Sequence, residues 1–415
     1  MKKQNRLLIL TAILATIIGM YIVPELIKLA TYSPSNYPFV QYSSGLEELV
    51  IMDFSNEEYP VSSPKTAKKY TEKQADSLLP IFNFYQLMAN GMQPDSIKGI
   101  EVNMQIIRAG SLVFRHSPRD VNSEGEPLHT LFESMPRRAG LKVPDDFFRL
   151  DNKIEFIDAK SNSVNYQKSE LFQNLLEERE YSFPAKWSIG NPSARKAYDE
   201  GYFSLDSNGK LFHIKMVNNR PYIRNTKVSD SIDIAHFAIY EVPNKRFYGF
   251  VFSKDGGVYI LEEGYHLLKM DIPPFDIYTQ EMLVMGNILY WTVAITTSEQ
   301  KSYYALNNSN LKQVDSYSID RTLTNWDYAK RYLLPSYISL NEKNSGWYYP
   351  RIKFGGYLSF IFSTLLIFIY LCTSKKDDNK CKSIKALLIL LTGIPGLLTS
   401  IILPSLAKRL NSKTN

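Results

Sequence analysis

The 415-residue chain has 44% hydrophobic and 22% charged residues, proportions that exclude a disordered or fibrous protein. Its formal net charge is +6, but residues 1–30 and 351–415 hold 14 of the 48 Lys and Arg against three acids, leaving 34 against 39, a net −5, in residues 31–350. The large middle region therefore lacks the basic surface that grips nucleic-acid phosphates, and with Cys372 and Cys381 as the only cysteines it has neither disulfides nor a thiolate nucleophile.

Residues 1–6, with Lys2, Lys3 and Arg6, read as a short cytoplasmic lead. Residues 7–27 follow as a transmembrane helix, because LLILTAILATIIGMYIV carries no charge. The run is long for the apolar part of a cleaved signal, and no small-x-small site follows, so an uncleaved signal anchor is favoured. Residues 31–350 are then one extracytoplasmic β-rich domain. Inside it, Thr71 and Gln74 match a capping box, Pro80 interrupts the helix they open, and Gly91 stops it. A second helix is expected over 167–179. The other segments alternate between strand and turn. Asp206-Ser207-Asn208-Gly209 lies between YFSL and LFHIK, and Lys254-Asp255-Gly256-Gly257 between FYGFVF and VYIL. Asn208-Gly209 and Gly256-Gly257 are the expected tight two-residue turns, with their glycines at positive φ. Turn residues at Asn162, Asn208, Gly256 and Asn287 recur at spacings compatible with a propeller-like stack over 145–320. An irregular antiparallel sheet or sandwich fits equally well. The 28 tyrosines suit half-buried strands, where the ring packs and the hydroxyl stays wet.

Two further apolar stretches, 354–373 and 386–407, each about 20 residues long, read as transmembrane helices two and three. The loop between them, 374–385, carries five lysines, which places it and the N-terminus in the cytoplasm and the large domain outside. The tail, 408–415, is basic and opposes this assignment. A re-entrant last segment, broken at Gly393-Ile394-Pro395-Gly396, would remove the conflict, but the apolar length suffices for a kinked span. The spans carry no charged residue, so they read as anchors or partner helices, not as a transport pathway.

No nucleophile elbow, HExxH, CxxC, Walker loop or GxGxxG occurs, and no metal or cofactor is expected. Asp206-x-Asn208-Gly209 resembles the start of a calcium loop but lacks the Glu that closes one at its far end. Adjacent carboxylates, Asp145-Asp146 and Asp199-Glu200, point to opposite faces of a strand and make no catalytic pair alone. The segment 183–203 is dense in Pro, Gly and ligand-type side chains. It reads as a structured connection or as a binding loop, with Lys186, Trp187, Arg195, Asp199 and Glu200 as the binding candidates.

The stretches ADSLLPIFNFYQLMANGMQPDSIKG (75–99), VPDDFFRLDNKIEFIDAKSNSVN (143–165) and FPAKWSIGNPSARKAYDEGYFSLDSNGKLFHIKM (183–216) resemble a family of Bacteroidetes membrane proteins that share a domain of unknown function. The resemblance covers nearly the whole chain and carries no assigned chemistry. It implies a genomic neighbourhood of ABC-transporter genes, an inner-membrane location and a periplasmic outer domain. The expected function is thus an inner-membrane accessory or binding subunit of an ABC-type transport system. The alternatives are an anchored periplasmic hydrolase or transferase, with Asp145, Asp146, Asp199 and Glu200 converging in a pocket, and a structural envelope protein.

Overall fold

Gln74 accepts a hydrogen bond from the Thr71 backbone nitrogen at 3.0 Å, and the helix Glu72–Leu78 follows. The chain breaks at Leu79-Pro80, where the proline cannot donate, and a second helix runs Phe84–Ala89 before Gly91 at φ +66°. The helix expected over 167–179 spans Tyr166–Glu178, with Asn165 as its N-cap. This computed structural model describes residues 2–32, 37–123, 128–137, 140–241, 243–341, 346–373 and 379–402. It divides into two units, residues 38–320 and residues 1–37 with 321–415.

The 38–320 unit is mainly antiparallel sheet. Sheet one contains Phe39–Ser43, Glu48–Met52, Val61–Ser62 and Lys69–Tyr70; sheet two is the hairpin Asp146–Leu150 and Ile154–Asp158. Sheet three holds Trp187–Gly190, Tyr202–Leu205, Leu211–Val217 and Arg220–Asn225, and sheet four Ile234–Ile239, Phe247–Ser253, Val258–Glu262 and Leu267–Lys269. Sheet five runs through Glu281–Gly286, Tyr290–Thr296, Gln300–Asn307 and Gln313–Asp320, and the distant strand Leu112–His116 joins its first strand, pairing Phe114 with Val284.

The sheets pack face to face because both faces of their strands are apolar. Phe156 and Phe172, the latter from the helix Tyr166–Glu178, pack with Tyr202, Phe212 and Ile214 of sheet three. The opposite face of sheet three presents Phe203, Leu205 and Leu211 to Phe237, Val251 and Leu261 of sheet four. Successive residues serve opposite faces, as the period of two requires. Sheet four then turns Phe250, Phe252 and Ile260 toward Val284, Trp291 and Val293 of sheet five. The far side of sheet five, Ala294, Tyr303 and Ala305, meets Val40, Tyr42 and Leu49 of sheet one. Ala75 and Leu79 cover the remaining face of sheet one. The result is a row of layers with a helix at each end.

The hairpins form with two changes: the loops have three residues, 207–209 and 254–256, not two, and of Gly256 and Gly257 only the first lies at positive φ. Gly209 sits at φ +82° between paired Leu205 and Leu211, and its equivalent in sheet four is Gly256 at φ +85°, not Gly257. The two turns are built alike: the Gly209 nitrogen donates to the Asp206 carbonyl and the Gly256 nitrogen to the Ser253 carbonyl, both at 3.0 Å.

In the other unit, the helix Lys2–Ala30 contains the 21-residue stretch Leu10–Ala30, within which an 18-residue window has mean hydropathy 2.0. Among the described residues it alone is long and apolar enough to cross a bilayer. The expected spans 354–373 and 386–407 form helices with different bounds. Strand backbone continues through Phe354, and a Cβ on Gly355 would lie 2.0 Å from the Leu334 carbonyl oxygen. The second helix therefore starts at Ser359 and covers 15 residues, Ser359–Thr373. The third begins earlier, at Asn379, ends at Thr392, breaks at Gly393 with φ +68° and resumes over 394–402; residues 403–407 lie outside the described set. The region 321–350, read from sequence as part of the outer domain, groups instead with these helices. It forms the helix Asn325–Leu333 and the hairpin Ser336–Asn341 with Tyr348–Phe354.

The helices meet through small and hydroxyl residues. Thr16 and Thr399 hydrogen-bond at 2.8 Å, and a Cβ on Gly19 would stand 3.3 Å from Pro395 Cβ. Their other faces leave Leu14, Ile18, Ile22, Leu365, Phe368, Leu387 and Leu398 exposed.

Candidate functional site

The first strands of sheets three and four bring Trp187, Ser188, Ile189, Ala235 and His236 to one side of the 38–320 unit, where a cleft of about 1050 Å³ opens. The turn of sheet two and its flanks add Arg149, Leu150, Asp151, Asn152, Lys153 and Glu155, the short helix Arg119–Asn122 and the residue after it add Asp120, Val121 and Ser123, and Tyr278 approaches from the segment ahead of sheet five. A second cavity of about 730 Å³ shares Lys186, Trp187, Ala235 and Tyr278 with it and extends past the Ser253–Gly256 turn to Pro274–Ile277.

Trp187 and Tyr278 line both cavities, His236 lines the first, and His116 lies beside His236. The Trp187 and His236 rings lie 6.2 Å apart, and those of His236 and His116 6.1 Å. His116 is fixed through Nε2, 3.0 Å from the Ile277 carbonyl oxygen. Burial holds His236 down to about 4, with the neighbouring His116 adding to the effect, and burial alone holds His129 down to about 4. These imidazoles are neutral at physiological pH, so they offer hydrogen bonds and ring surface without charge. The ionic groups at the rim are balanced. Arg149 Nε donates to Glu155 at 2.6 Å and Lys153 pairs with the same carboxylate at 2.7 Å, which holds Glu155 below the usual carboxylate range. A carboxyl kept ionised in this way is not a proton donor. Among the described residues, no group of three or more His, Cys, Asp and Glu converges as metal ligands would.

The five sequence candidates separate into two sets. Lys186 and Trp187 line both cavities. Arg195 is exposed. Asp199 is 3% exposed and belongs to a buried network: Lys196 donates to Asp199 at 2.5 Å, to Glu241 at 3.0 Å and to the Asn191 carbonyl at 2.8 Å, while Ser134 and the Gly201 nitrogen complete the Asp199 shell. Glu200 pairs with Lys215 at 2.7 Å, and its carbonyl accepts from His213 Nε2 at 2.6 Å. Residues 191–201 are thus a structured connection, while residues 186 and 187 face a cleft. The four carboxylates proposed for hydrolysis are committed to different lysines, Asp146 to Lys168 at 2.7 Å and Asp145 to Lys142 at 3.9 Å. His236, Tyr278 and Arg149 were missed from sequence because strand positions give no sign of which sheet ends will converge.

A family profile matches residues 39–306, almost the whole of this unit; its description is "Domain of unknown function (DUF4857)". The chain belongs to the DUF4857 family. The matched range contains every residue named in the cleft. No curated protein matches this DUF4857 chain. Among solved structures, "Dihydro-heme d1 dehydrogenase NirN in complex with DHE" is similar at 10% identity and a TM-score of 0.21, over 59% of this chain and 64% of that one. The DUF4857 chain therefore spans under two thirds of that structure's length, and a likeness at that score carries no structural or functional inference.

Proposed function

We propose that this DUF4857 protein is a membrane-anchored binding subunit. Three apolar helices hold it in the inner membrane of a two-membraned bacterium, the sheet domain lies in the periplasm, and the cleft at Lys186 and Trp187 takes a polar ligand. The stacked antiparallel sheets read as blades of an open, propeller-like array whose first strands line that cleft. The partner is an ABC-type transporter, as the family resemblance implies.

The observation that carries this reading is the cleft itself. It is large and lined by Trp187, His236 and Tyr278, and its Glu155 carboxylate is neutralised by Arg149 and Lys153, not poised for proton transfer. Binding is favoured over hydrolysis because the carboxylates that hydrolysis would need are engaged elsewhere. The exposed apolar faces of the helices support the anchor, since lipid leaves such faces uncovered by protein. The test is purification of the tagged full chain from native membranes, with and without crosslinking, followed by mass spectrometry. Co-purifying ABC-transporter subunits are expected, and isolation alone under both conditions contradicts the accessory role.

A further inference from the structure

The two cavities at Trp187 adjoin along their four shared residues, and their chemistry narrows what can fill them. At about 1050 and 730 Å³, each reaches the upper part of the range that takes a drug-sized ligand, about 300–1000 Å³, so together they exceed what one small metabolite fills. Six carboxylates and four cations line them, a net −2. Three of the four cations are already engaged, Arg149 and Lys153 with Glu155 and Lys254 with Asp233 at 2.9 Å, which leaves Lys186. A ligand rich in phosphate or carboxylate therefore meets net repulsion and a single unengaged cation.

A peptide added as an extra strand finds no suitable edge either. The strands that line the cleft are the outer ones of sheets three and four. Trp187–Gly190 offers four residues, and Ile234–Ile239 is bulged at Ala235, where the pairing register shifts between Ile234 and His236. Short and bulged edges resist strand addition.

What the cavities offer instead is ring surface with hydrogen-bonding groups of both kinds. Trp187 is partly buried against the core between sheets three and four, which holds its indole in place. Tyr278 is 50% exposed, and its backbone is tied on both sides: the nitrogen donates to Asp276 at 2.9 Å and the carbonyl accepts from Asn122 Nδ2 at 3.0 Å. Rigid aromatic faces cover the C–H face of a sugar ring at low entropic cost, while the ring's hydroxyls stay free to bond. Asp120, Asp151, Asn152, Lys186 and the neutral imidazole of His236 surround them. Hydroxyl groups donate and accept at once, so they satisfy these carboxylates and these amide and ammonium donors together. A ligand that only accepts or only donates does not.

We propose that the cleft binds an uncharged oligosaccharide. Trp187 and Tyr278 pack against sugar rings where the two cavities adjoin, and Asp120, Asp151 and Asn152 bond hydroxyls of the chain. This rests on the reading of the cleft as a ligand site given above.

The test titrates the full chain in detergent, by calorimetry, with maltohexaose, cellohexaose, xylohexaose and mannohexaose, and in separate arms with inorganic phosphate and with tetra-alanine. Binding of at least one hexasaccharide is expected. Trp187→Ala and Tyr278→Ala should each weaken it tenfold or more, and Tyr166→Ala, at a side chain 80% exposed and outside the cleft, should leave it unchanged. Because Tyr278 is half exposed, Tyr278→Ala carries the test even if Trp187→Ala fails to fold. No binding of any hexasaccharide overturns the proposal, and so does binding that the cleft variants leave intact. Phosphate or peptide bound in a Tyr278-dependent way, with no hexasaccharide bound, keeps the cleft as a ligand site and rejects the sugar alone. No binding in any arm rejects the underlying reading of the cleft as well.

Discussion

The Lys196 ammonium stands between the carboxylates of Asp199 and Glu241, at 2.5 and 3.0 Å, and all three side chains are at most 4% exposed. Removing one partner leaves an uncompensated buried charge, at a cost of about 3–5 kcal/mol. Lys196→Ala and Asp199→Ala are each expected to lower the melting temperature of the 38–320 unit by on the order of 10 °C. Arg195→Ala, on the exposed side of the same segment, should change stability by less than about 0.5 kcal/mol. Calorimetry of the three variants checks this, and a neutral Asp199→Ala refutes the buried network.

That network also marks where sequence reading stopped. Asp199 looked like a turn carboxylate because its neighbourhood is rich in Gly, Pro and Asn; its burial depends on Glu241, 42 positions away. Local signals were readable. The Thr71–Gln74 capping box, the Asn165-capped helix and the Gly209 turn each depend on residues a few positions apart. The pairing of Phe114 with Val284 joins strands from distant parts of the chain, and no local pattern encodes it. The second helix was read as starting at 354 because Phe354-Gly355-Gly356-Tyr357 is apolar. The structure delays it because the Leu334 carbonyl crowds Gly355.

The two matched turns give a sharper expectation. Gly209 and Gly256 occupy left-handed backbone that a β-branched residue adopts only with strain, about 1 kcal/mol or more. At Gly256 an added Cβ also meets Pro274 Cβ at 3.0 Å, whereas at Gly209 the nearest atom is Lys186 Nζ at 3.7 Å. Gly256→Val should therefore lower the melting temperature more than Gly209→Val. Equal or absent effects in thermal unfolding contradict the assigned turn geometry.

Acid should weaken the fold through histidine. His213 is fully buried, accepts at Nδ1 from Tyr265 at 2.9 Å and donates from Nε2 to the Glu200 carbonyl, so its neutral form is fixed. Burial, aided by Lys215, holds it down to about 3. Because the folded value lies below the ordinary 6.5, the unfolded chain binds the proton first. The stabilisation is complete above about pH 6.5 and is lost as pH falls toward 3, amounting to about 2 kcal/mol at pH 5. His129 and His236 act in the same direction. Urea unfolding of the 38–320 unit at pH 7.5 and pH 5 measures the loss, and NMR should show His213 untitrated above pH 5. Equal stability at the two pH values, or a His213 titration near 6.5, contradicts the account.

Close approach of the first and third helices at Gly19 and Pro395 predicts a packing defect on enlargement. Gly19→Leu should lower the thermal stability of the full chain in detergent, since a Cβ already stands 3.3 Å from Pro395. Unchanged melting of the full chain contradicts the contact.

The central claim is a membrane anchor with the sheet domain on the outer side, and topology reporters test it most directly. A fusion at residue 300, within sheet five, should read periplasmic, and a fusion at residue 378, between the second and third helices, should read cytoplasmic. The reverse pattern, or the same side for both, contradicts the account.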